Sequence, residues 1–464
     1  MSLHPSYSKS HHFQNWAKTF ECYPERFYQP ASLTELRDII DEARKNRKEV
    51  KVVGSGHSPS DIHCTSSWMI DVTKLNRILS IDRDQREIEV ECGMKLHELN
   101  MHLDKLGWAV LNFGSISEQT VAGVICTGTH GSSLTHGIFS SQVVELTLLL
   151  ADGSVIKCNK ELNQDIFQAA SLSLGALGVI VSVKIKCSKS FDLKGTLRVV
   201  TLEDFLLLWQ KGEVWEASEF VRAWWFPYVR RVVINYQERA PPSPKHRPQM
   251  NPGTWIREKL IGHYFNKVAL AIGIYRKKLL PFFEKLIFQG KYGLEPGIKR
   301  EKLEPSYQGF QMDCICSQWI DEFAIRIEKG SEAIIELDKF FRRDSSCIIP
   351  FPNEPIYAHP PIEIRVSKCD NSAFLSQSYG HNVVYIGVII YRPFHLNMEY
   401  RDYFKAFEGL MNKFEGRPHW AKKHFLSKEE LRQRYPKFDQ WLEIRKRLDP
   451  DGVFMGDYLR RDIV

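Results

Sequence analysis

Gly114-Ser115-Ile116-Ser117-Glu118-Gln119-Thr120-Val121-Ala122-Gly123, running on to Thr127-Gly128-Thr129-His130-Gly131-Ser132-Ser133, decides how this chain reads. Small residues and hydroxyls dominate it. Such a run lets backbone lie against a large flat ligand while N–H and O–H donors face a pyrophosphate. Toward the N-terminus, Val53-Gly54-Ser55-Gly56-His57-Ser58-Pro59-Ser60-Asp61 is a second loop of this kind. Its glycines allow backbone amides to approach a phosphate closely, although a plain tight turn has the same composition. It is not the GxGxxG of a dinucleotide fold, because no third glycine falls at the required spacing. His57 is the odd member: a histidine in a phosphate-cradling loop can be a base, a ligand or an attachment point. Toward the C-terminus, Gly175 and Gly178, with a strand opening at Val179, form a third small-residue approach.

Around these loops the first 190 residues mix both element types. Helical spacing of apolar residues predicts a helix over Leu33–Asn46 and another over Met94–Leu106, stopped by Gly107. Strands are expected at Glu49–Val53, Arg86–Cys92, Val143–Leu150 and Val179–Lys186. Past about residue 195 the texture changes: Trp209, Trp215, Trp224, Trp225 and Phe226 crowd together, and Pro241–Gly253 reads as an exposed loop. A strand at Val383–Tyr391, a helix at Tyr400–Phe414 and a helical stretch over Lys428–Leu448 close the chain. Within Pro361-Ile362-Glu363-Ile364-Arg365-Val366, Glu363 and Arg365 point the same way on a strand. Charges flanked by apolar residues are expensive to bury unless paired; a surface ion pair has the same spacing.

With 464 residues, of which 43% are hydrophobic and 26% charged, the chain is long enough for several cores and ordinary for a globular protein. The net charge of +7 suits an anionic cofactor or an acidic membrane surface. No zinc-finger or RNA-recognition pattern accompanies it, so nucleic acid is not an expected partner and no metal is expected. Ten scattered cysteines without a CxxC pair suggest free, mostly buried thiols in a reducing compartment; Cys314 and Cys316 would share a strand face. The N-terminus has no signal-peptide core, so secretion is not expected. No run reaches the roughly 20 apolar residues of a membrane span. The basic, aromatic stretch Lys259–Phe288, with the apolar run Val268–Tyr275 followed by Arg276, Lys277 and Lys278, can lie on a membrane surface, or can be an amphipathic helix packed on a core.

Phe13-Gln14-Asn15-Trp16-Ala17-Lys18, the 53–61 loop, Ser117–Gly123, Thr127–Ser133 and Gly416-Arg417-Pro418-His419-Trp420-Ala421-Lys422 together resemble the vanillyl-alcohol-oxidase superfamily of FAD-linked oxidoreductases. Within it the resemblance is closest to the aldonolactone oxidases, the L-gulonolactone and D-arabinono-1,4-lactone oxidases. It runs from about Phe13 to Tyr458 and is weakest between about residues 240 and 310. It implies an α+β fold: a two-subdomain FAD-binding (PCMH-type) domain over 1–190, a substrate cap over 191–415 with an antiparallel sheet flanked by helices, and a segment 416–464 returning to the flavin.

The resemblance also implies roles. His57 would carry FAD covalently through the flavin 8α carbon, raising its potential and preventing its loss. Gly54, Ser55, Gly56, Ser58, Gly114, Ser115, Ser117, Thr120, Gly123, Thr127, Gly128, Thr129, His130, Gly131, Gly178 and Val179 would line the cofactor, with Ser115 also lining the substrate pocket. Glu363 and Arg365 would hold substrate hydroxyls. Lys422 would sit near flavin N1 or N5, with His419 beside it in the HWAK run. A further polar residue belongs on the Val383–Tyr391 strand, and the general base stays unassigned. Glycine at 114, where the dehydrogenase branch has alanine, leaves room for oxygen; turn geometry is the plainer reason for a glycine there. The implied reaction passes the C2 hydride of an aldono-1,4-lactone to flavin N5, yields ascorbate or an analogue after enolisation, and gives hydrogen peroxide from oxygen. A cytochrome-coupled dehydrogenase, an alditol oxidase and a non-catalytic flavoprotein scaffold are the rival readings. Peroxide release, polyol turnover and anaerobic bleaching by lactone separate them. Family habit adds peripheral attachment through 259–288 to the endoplasmic reticulum or mitochondrial outer membrane.

Overall fold

The computed structural model describes residues 5–243, 263–312 and 316–464. Its N-terminal part holds two sheets of more than two strands. In the smaller, Arg26–Tyr28, Trp68–Asp71 and Val50–Val53 run parallel. The helix Leu33–Lys45 covers this sheet because Leu36, Ile39, Ile40 and Ala43 fall on one face at helical spacing and are buried. Ser32 caps it by accepting from the Glu35 N–H. The larger sheet is antiparallel and ordered Val155–Asn159, Val143–Leu149, Val179–Lys186, Glu87–Glu91, Ile78–Asp82. The helix Leu96–Lys105 ends before Gly107, whose φ of +70° suits glycine.

The third sheet explains the aromatic second half. Eight strands run in the order Gly297–Pro305, Asp192–Thr201, Arg231–Ala240, Phe220–Phe226, His359–Ser367, Val383–Tyr391, Gln318–Arg326, Arg417–Pro418, each antiparallel to its neighbours. Helices Leu202–Gln210, Gly330–Arg342 and Arg401–Lys413 flank it. Trp209 and Trp215 meet edge-on at 5.1 Å beneath it. Gly330 allows this, since a Cβ there would lie 2.2 Å from the Trp209 ring. The α+β class and the large antiparallel sheet flanked by helices are therefore as the sequence implied.

Three expectations need correcting. Lys428–Leu448 is not one helix: Lys428–Arg434 and Phe438–Leu448 are separated at Tyr435-Pro436, because proline lacks the N–H and restricts the residue before it. The nine described cysteines are free, but only Cys92, Cys158 and Cys187 are buried; the others are half-buried. Glu363 and Arg365 are not a self-contained couple, as shown below. Residues 244–253 of the expected loop, 259–262 of the basic stretch and Cys314 lie outside the described residues.

Candidate active site

The three small-residue runs interlock. Gly54, just after the strand Val50–Val53, lies so close to Thr120 that a Cβ would sit 2.3 Å from its Oγ1. Thr120 caps the short helix Val121–Cys126 by accepting from the Gly123 N–H, and a side chain on Gly123 would also strike it. Ser55 Oγ donates to the Glu118 carbonyl at 2.5 Å. Gly56 has a φ of +63°, a conformation L side chains rarely adopt. Gly131 approaches Asn112 so closely that a Cβ would fall 1.7 Å from Oδ1, and the Cβ of an alanine at 114 would lie 2.7 Å from Thr129 Cγ2. Gly114 does not have a positive φ, so close approach rather than a left-handed turn explains its glycine. Thr127 Oγ1 donates back to Gly123, and Gly128 turns the chain at a φ of +66°. Ser58 and Ser117 contribute backbone carbonyls, to Asn15 Nδ2 and the His97 N–H. The atoms nearest Gly178 belong to Leu149 and Leu150, and Val179 pairs with Leu149, so these two pack on the sheet rather than on the His57 loop.

His57 is half-buried, with Trp16 stacked at 5.9 Å. Its Nδ1 is buried and receives no hydrogen bond of normal geometry. Burial pushes the imidazole pKa down, against Glu118 and the Ser55 backbone, so it is neutral and nucleophilic at physiological pH. A buried unpartnered ring nitrogen on a shelf of glycines and hydroxyls fits a flavin.

The second half of the site stands on the large sheet. Glu322 and Glu363 lie opposite Gly387 from its two sides, and Arg365 lies opposite Tyr385, so all share one face. Arg365 Nη2 meets Glu322 Oε1 at 2.5 Å, whereas its Nε is 3.5 Å from Glu363. Arg222 Nε is 3.6 Å from the other oxygen of Glu363. Glu363, itself half-buried, and Arg365 thus belong to a four-member network whose shortest contact is to the Gln318–Arg326 strand. Charge neutralisation in a dry site explains this: Arg365 is 7% exposed and Glu322 3%.

Other loops converge on the same carboxylate. The His419 N–H donates to the Glu322 carbonyl at 2.9 Å, and the turn places Lys422 Nζ 3.9 Å from Glu322 Oε2. The Thr127–Ser133 run docks on the sheet through Ser132 Oγ to the Val221 carbonyl and the Ser133 N–H to the Val366 carbonyl. This carries His130 Nε2 to 3.4 Å from Glu322 Oε1 and stacks its ring on Tyr385 at 3.5 Å. His130 Nδ1 lies 2.8 Å from the Gly131 carbonyl, so the ring stands between two acceptors. Ser115 accepts at its carbonyl from the Met312 N–H, another contact between the two halves.

Burial opposes the charge of Glu322, yet Arg365 above all, with His130, His419 and Lys422, holds its carboxyl well below the usual range. Burial pushes His419 well down and His130 to about 4, so both are neutral. Burial likewise raises the Tyr385 phenol, whose buried oxygen makes no hydrogen bond among the described residues. The ligand atoms of His130, Glu322 and His419 lie within 4.8 Å of one another. A metal could span them, but Arg365 and Lys422 already offset the single carboxylate, so the local charge does not invite a cation.

Glu322, Arg222 and Tyr385 were not anticipated. Trp319-Ile320-Asp321-Glu322-Phe323-Ala324-Ile325 carries the same cue as the Glu363 strand, charge inside an apolar strand, and so does Val221-Arg222-Ala223-Trp224. Tyr385 lies on the Val383–Tyr391 strand, where the resemblance implied a further polar residue, but nothing local singles it out.

Comparison with known proteins identifies the family. Residues 183–462 match the D-arabinono-1,4-lactone oxidase family and residues 24–159 an FAD binding domain. The chain is 37% identical over 449 residues to L-gulonolactone oxidase of Mus musculus, covering 97% of each. It is 33% identical over 519 residues to D-arabinono-1,4-lactone oxidase of Saccharomyces cerevisiae, covering 97% of the chain and 96% of the yeast protein. Among solved structures, cholesterol oxidase from B. sterolicum shares the fold with a TM-score of 0.78 at 14% identity, covering 99% of this chain and 97% of that one. Glucooligosaccharide oxidase from Acremonium strictum does so with a TM-score of 0.67 at 15% identity, covering 97% and 93%. The chain therefore belongs to the D-arabinono-1,4-lactone oxidase family and is an FAD-dependent oxidoreductase.

Proposed function

We propose that this enzyme oxidises an aldono-1,4-lactone, L-gulono- or D-arabinono-1,4-lactone, at C2 and uses oxygen as acceptor, giving ascorbate or an ascorbate analogue and hydrogen peroxide. The observation that carries this is the buried set around Glu322, in which Arg365, Lys422, His419 and His130 converge. FAD, when bound, supplies the two-electron acceptor that takes the C2 hydride and returns its electrons to oxygen. The protein does the rest by placement and charge. Glu363 and Arg365, on one sheet face, hold the lactone hydroxyls, with Ser115 at the pocket wall. Arg365 and Lys422 supply positive potential where negative charge gathers. His57, with Gly54, Ser55, Gly56, Ser58, Gly114, Ser117, Thr120, Gly123, Thr127, Gly128, Thr129, His130, Gly131, Gly178 and Val179, forms the cofactor site.

We assign His57 Nδ1 as a covalent 8α attachment atom. Its burial without a hydrogen bond supports this, as does the 8α-N1-histidyl FAD named for the glucooligosaccharide oxidase. The units we propose are 1–190 for FAD, 191–415 for substrate and 416–464 as the segment that brings Lys422 back. Oxygen uptake with L-gulono-, L-galactono- and D-arabinono-1,4-lactone tests the reading. Turnover with an artificial dye but without oxygen consumption would overturn the oxidase part, and no turnover of any lactone would overturn the whole.

A specific surface favours peripheral membrane attachment as well. Along His263–Tyr275 and Leu280–Tyr292, the side chains of Tyr264, Phe265, Val268, Ile272, Tyr275, Phe282 and Leu286 are exposed. Lys267, Arg276, Lys277, Lys278 and Lys285 stand among them. Among the described residues no helix is long and apolar enough to cross a membrane. Exposed apolar side chains interspersed along the chain with cations suit the headgroup zone of an anionic bilayer.

A further inference from the structure

Three turns of the five-stranded sheet and its surroundings enclose a basic cleft. The hairpin between Ile78–Asp82 and Glu87–Glu91 closes with Asp82 opposite Glu87, and the Gln85 N–H donates to Asp82 Oδ1 at 2.9 Å. The Arg86 carbonyl accepts from the Cys187 N–H at 2.9 Å, which pins the hairpin tip to the corner after Val179–Lys186. Past that corner the Ser190 N–H donates to the Gly107 carbonyl at 2.8 Å, and Lys189 stands opposite Trp108. Pro242, beyond the strand Arg231–Ala240, completes the wall. The cleft measures about 480 Å³, a size that takes a small molecule. It lies away from the small-residue shelf around Thr120. Cys92 and Met94, past one end of Glu87–Glu91, accept from the Ala122 and Val121 N–H groups, whereas Arg86 precedes the other end. Gly178 and Cys187 bracket the neighbouring strand in the same way.

Arg83, Arg86 and Lys189 all line this space, and no carboxylate does. None of the three forms an ion pair among the described residues. Glu87 is engaged elsewhere, 3.4 Å from Lys186 Nζ, and Asp84, on the same turn, is exposed. Like charges gathered without a counter-charge repel, and a bound anion relieves this. Arg86 sharpens the point. Its Nε is buried and donates to nothing among the described residues, which is costly for an N–H. Its φ of +51° favours glycine, so the turn does not explain an arginine here. The geometry points to this cleft as a binding site for a nucleoside di- or triphosphate. Planar guanidiniums take phosphate oxygens through paired N–H donors, and the Lys189 ammonium adds a point charge. Three cations match a di- or triphosphate chain better than a single phosphate. Trp108, Gly107 and Pro242 give an apolar wall for the base and sugar, and Ser190 gives a hydroxyl.

Titration calorimetry on the full-length protein, loaded with flavin so that the cofactor's own diphosphate site is filled, tests this in magnesium-free buffer of low ionic strength. ATP is expected to bind about 10-fold more tightly than inorganic tripolyphosphate, and adenosine is expected to give no measurable heat. Arg83→Gln/Arg86→Gln is expected to weaken ATP binding by about 10-fold or more, with flavin absorbance retained as the sign of an intact fold. Lys45→Gln removes an exposed cation from the helix Leu33–Lys45 and is expected to leave ATP binding unchanged, which separates the cleft from net charge. No ATP binding, or binding equally tight in the double arginine variant, would overturn the site. Tripolyphosphate binding as tightly as ATP would overturn the nucleotide. Cosedimentation with phosphatidic acid vesicles that the double variant loses, with no heat from ATP, would give the cleft to a lipid headgroup and overturn the proposal too. No lactone enters these titrations, so failure of the lactone reading leaves the test intact.

Discussion

Glu322 has no spare role: its two oxygens serve Arg365, His130 and Lys422, and its own carbonyl fixes His419. Glu322→Gln keeps the size but leaves the buried Arg365 and the half-buried Lys422 facing an amide. Lactone-dependent oxygen uptake is expected to fall by about 10²-fold or more, with flavin absorbance retained and stability lower by about 3 kcal/mol. An unchanged kcat/KM would remove Glu322 from the site. At Gly114 the new methyl group would press on Thr129 Cγ2 at 2.7 Å. Gly114→Ala is expected to cut oxygen uptake by roughly 10-fold while dye-coupled turnover survives, since uniform loss of both would mean only a distorted loop. His57→Ala is expected to release the yellow chromophore on denaturation, where the unmodified chain retains it; equal retention would refute the tether.

At the scale of elements, the helix Leu280–Tyr292 is fastened by one carboxylate. Glu284, 1% exposed, accepts from the Tyr228 and Val229 N–H groups at 2.8 and 2.9 Å. Burial pushes its carboxyl up to about 8, against those two donors. An unfolded glutamate titrates near 4.3, so between about pH 4.3 and 8 the folded chain holds one more proton than the unfolded chain. This group therefore stabilises the fold most at low pH, and its contribution declines as pH rises toward 8. Glu284→Gln keeps an acceptor for both N–H groups and removes the titration. Its urea midpoint is expected to fall less between pH 5 and pH 8 than that of the unmodified chain; identical slopes would contradict this. Nothing in the local pattern Leu280-Pro281-Phe282-Phe283-Glu284 separates a buried glutamate from an exposed one, because its fate depends on the turn at Tyr228 from another strand.

For the whole molecule, the two exposed helices form a face and the flavin site an interior, so the two can be perturbed apart. Cosedimentation with vesicles containing phosphatidylserine is expected for the unmodified chain, and a Phe282→Glu/Ile272→Glu double variant is expected to lose it at unchanged lactone turnover. Equal pelleting of both would dismiss the face as an attachment surface. The amino-acid sequence by itself determined the parts whose information is local. These are the helix Leu33–Lys45, the strand Val179–Lys186, and the small-residue runs around Gly54, Gly114 and Gly128, where absent side chains are visible letter by letter. It also placed Glu363 and Arg365 on one face through the two-residue period of a strand. What tertiary structure alone decided was who pairs with whom. Glu322, Arg222, His130 and Tyr385 come from distant segments and meet because eight strands adopted one register and a loop docked across them. A buried charge must find its opposite in three dimensions, and that requirement is blind to separation along the chain.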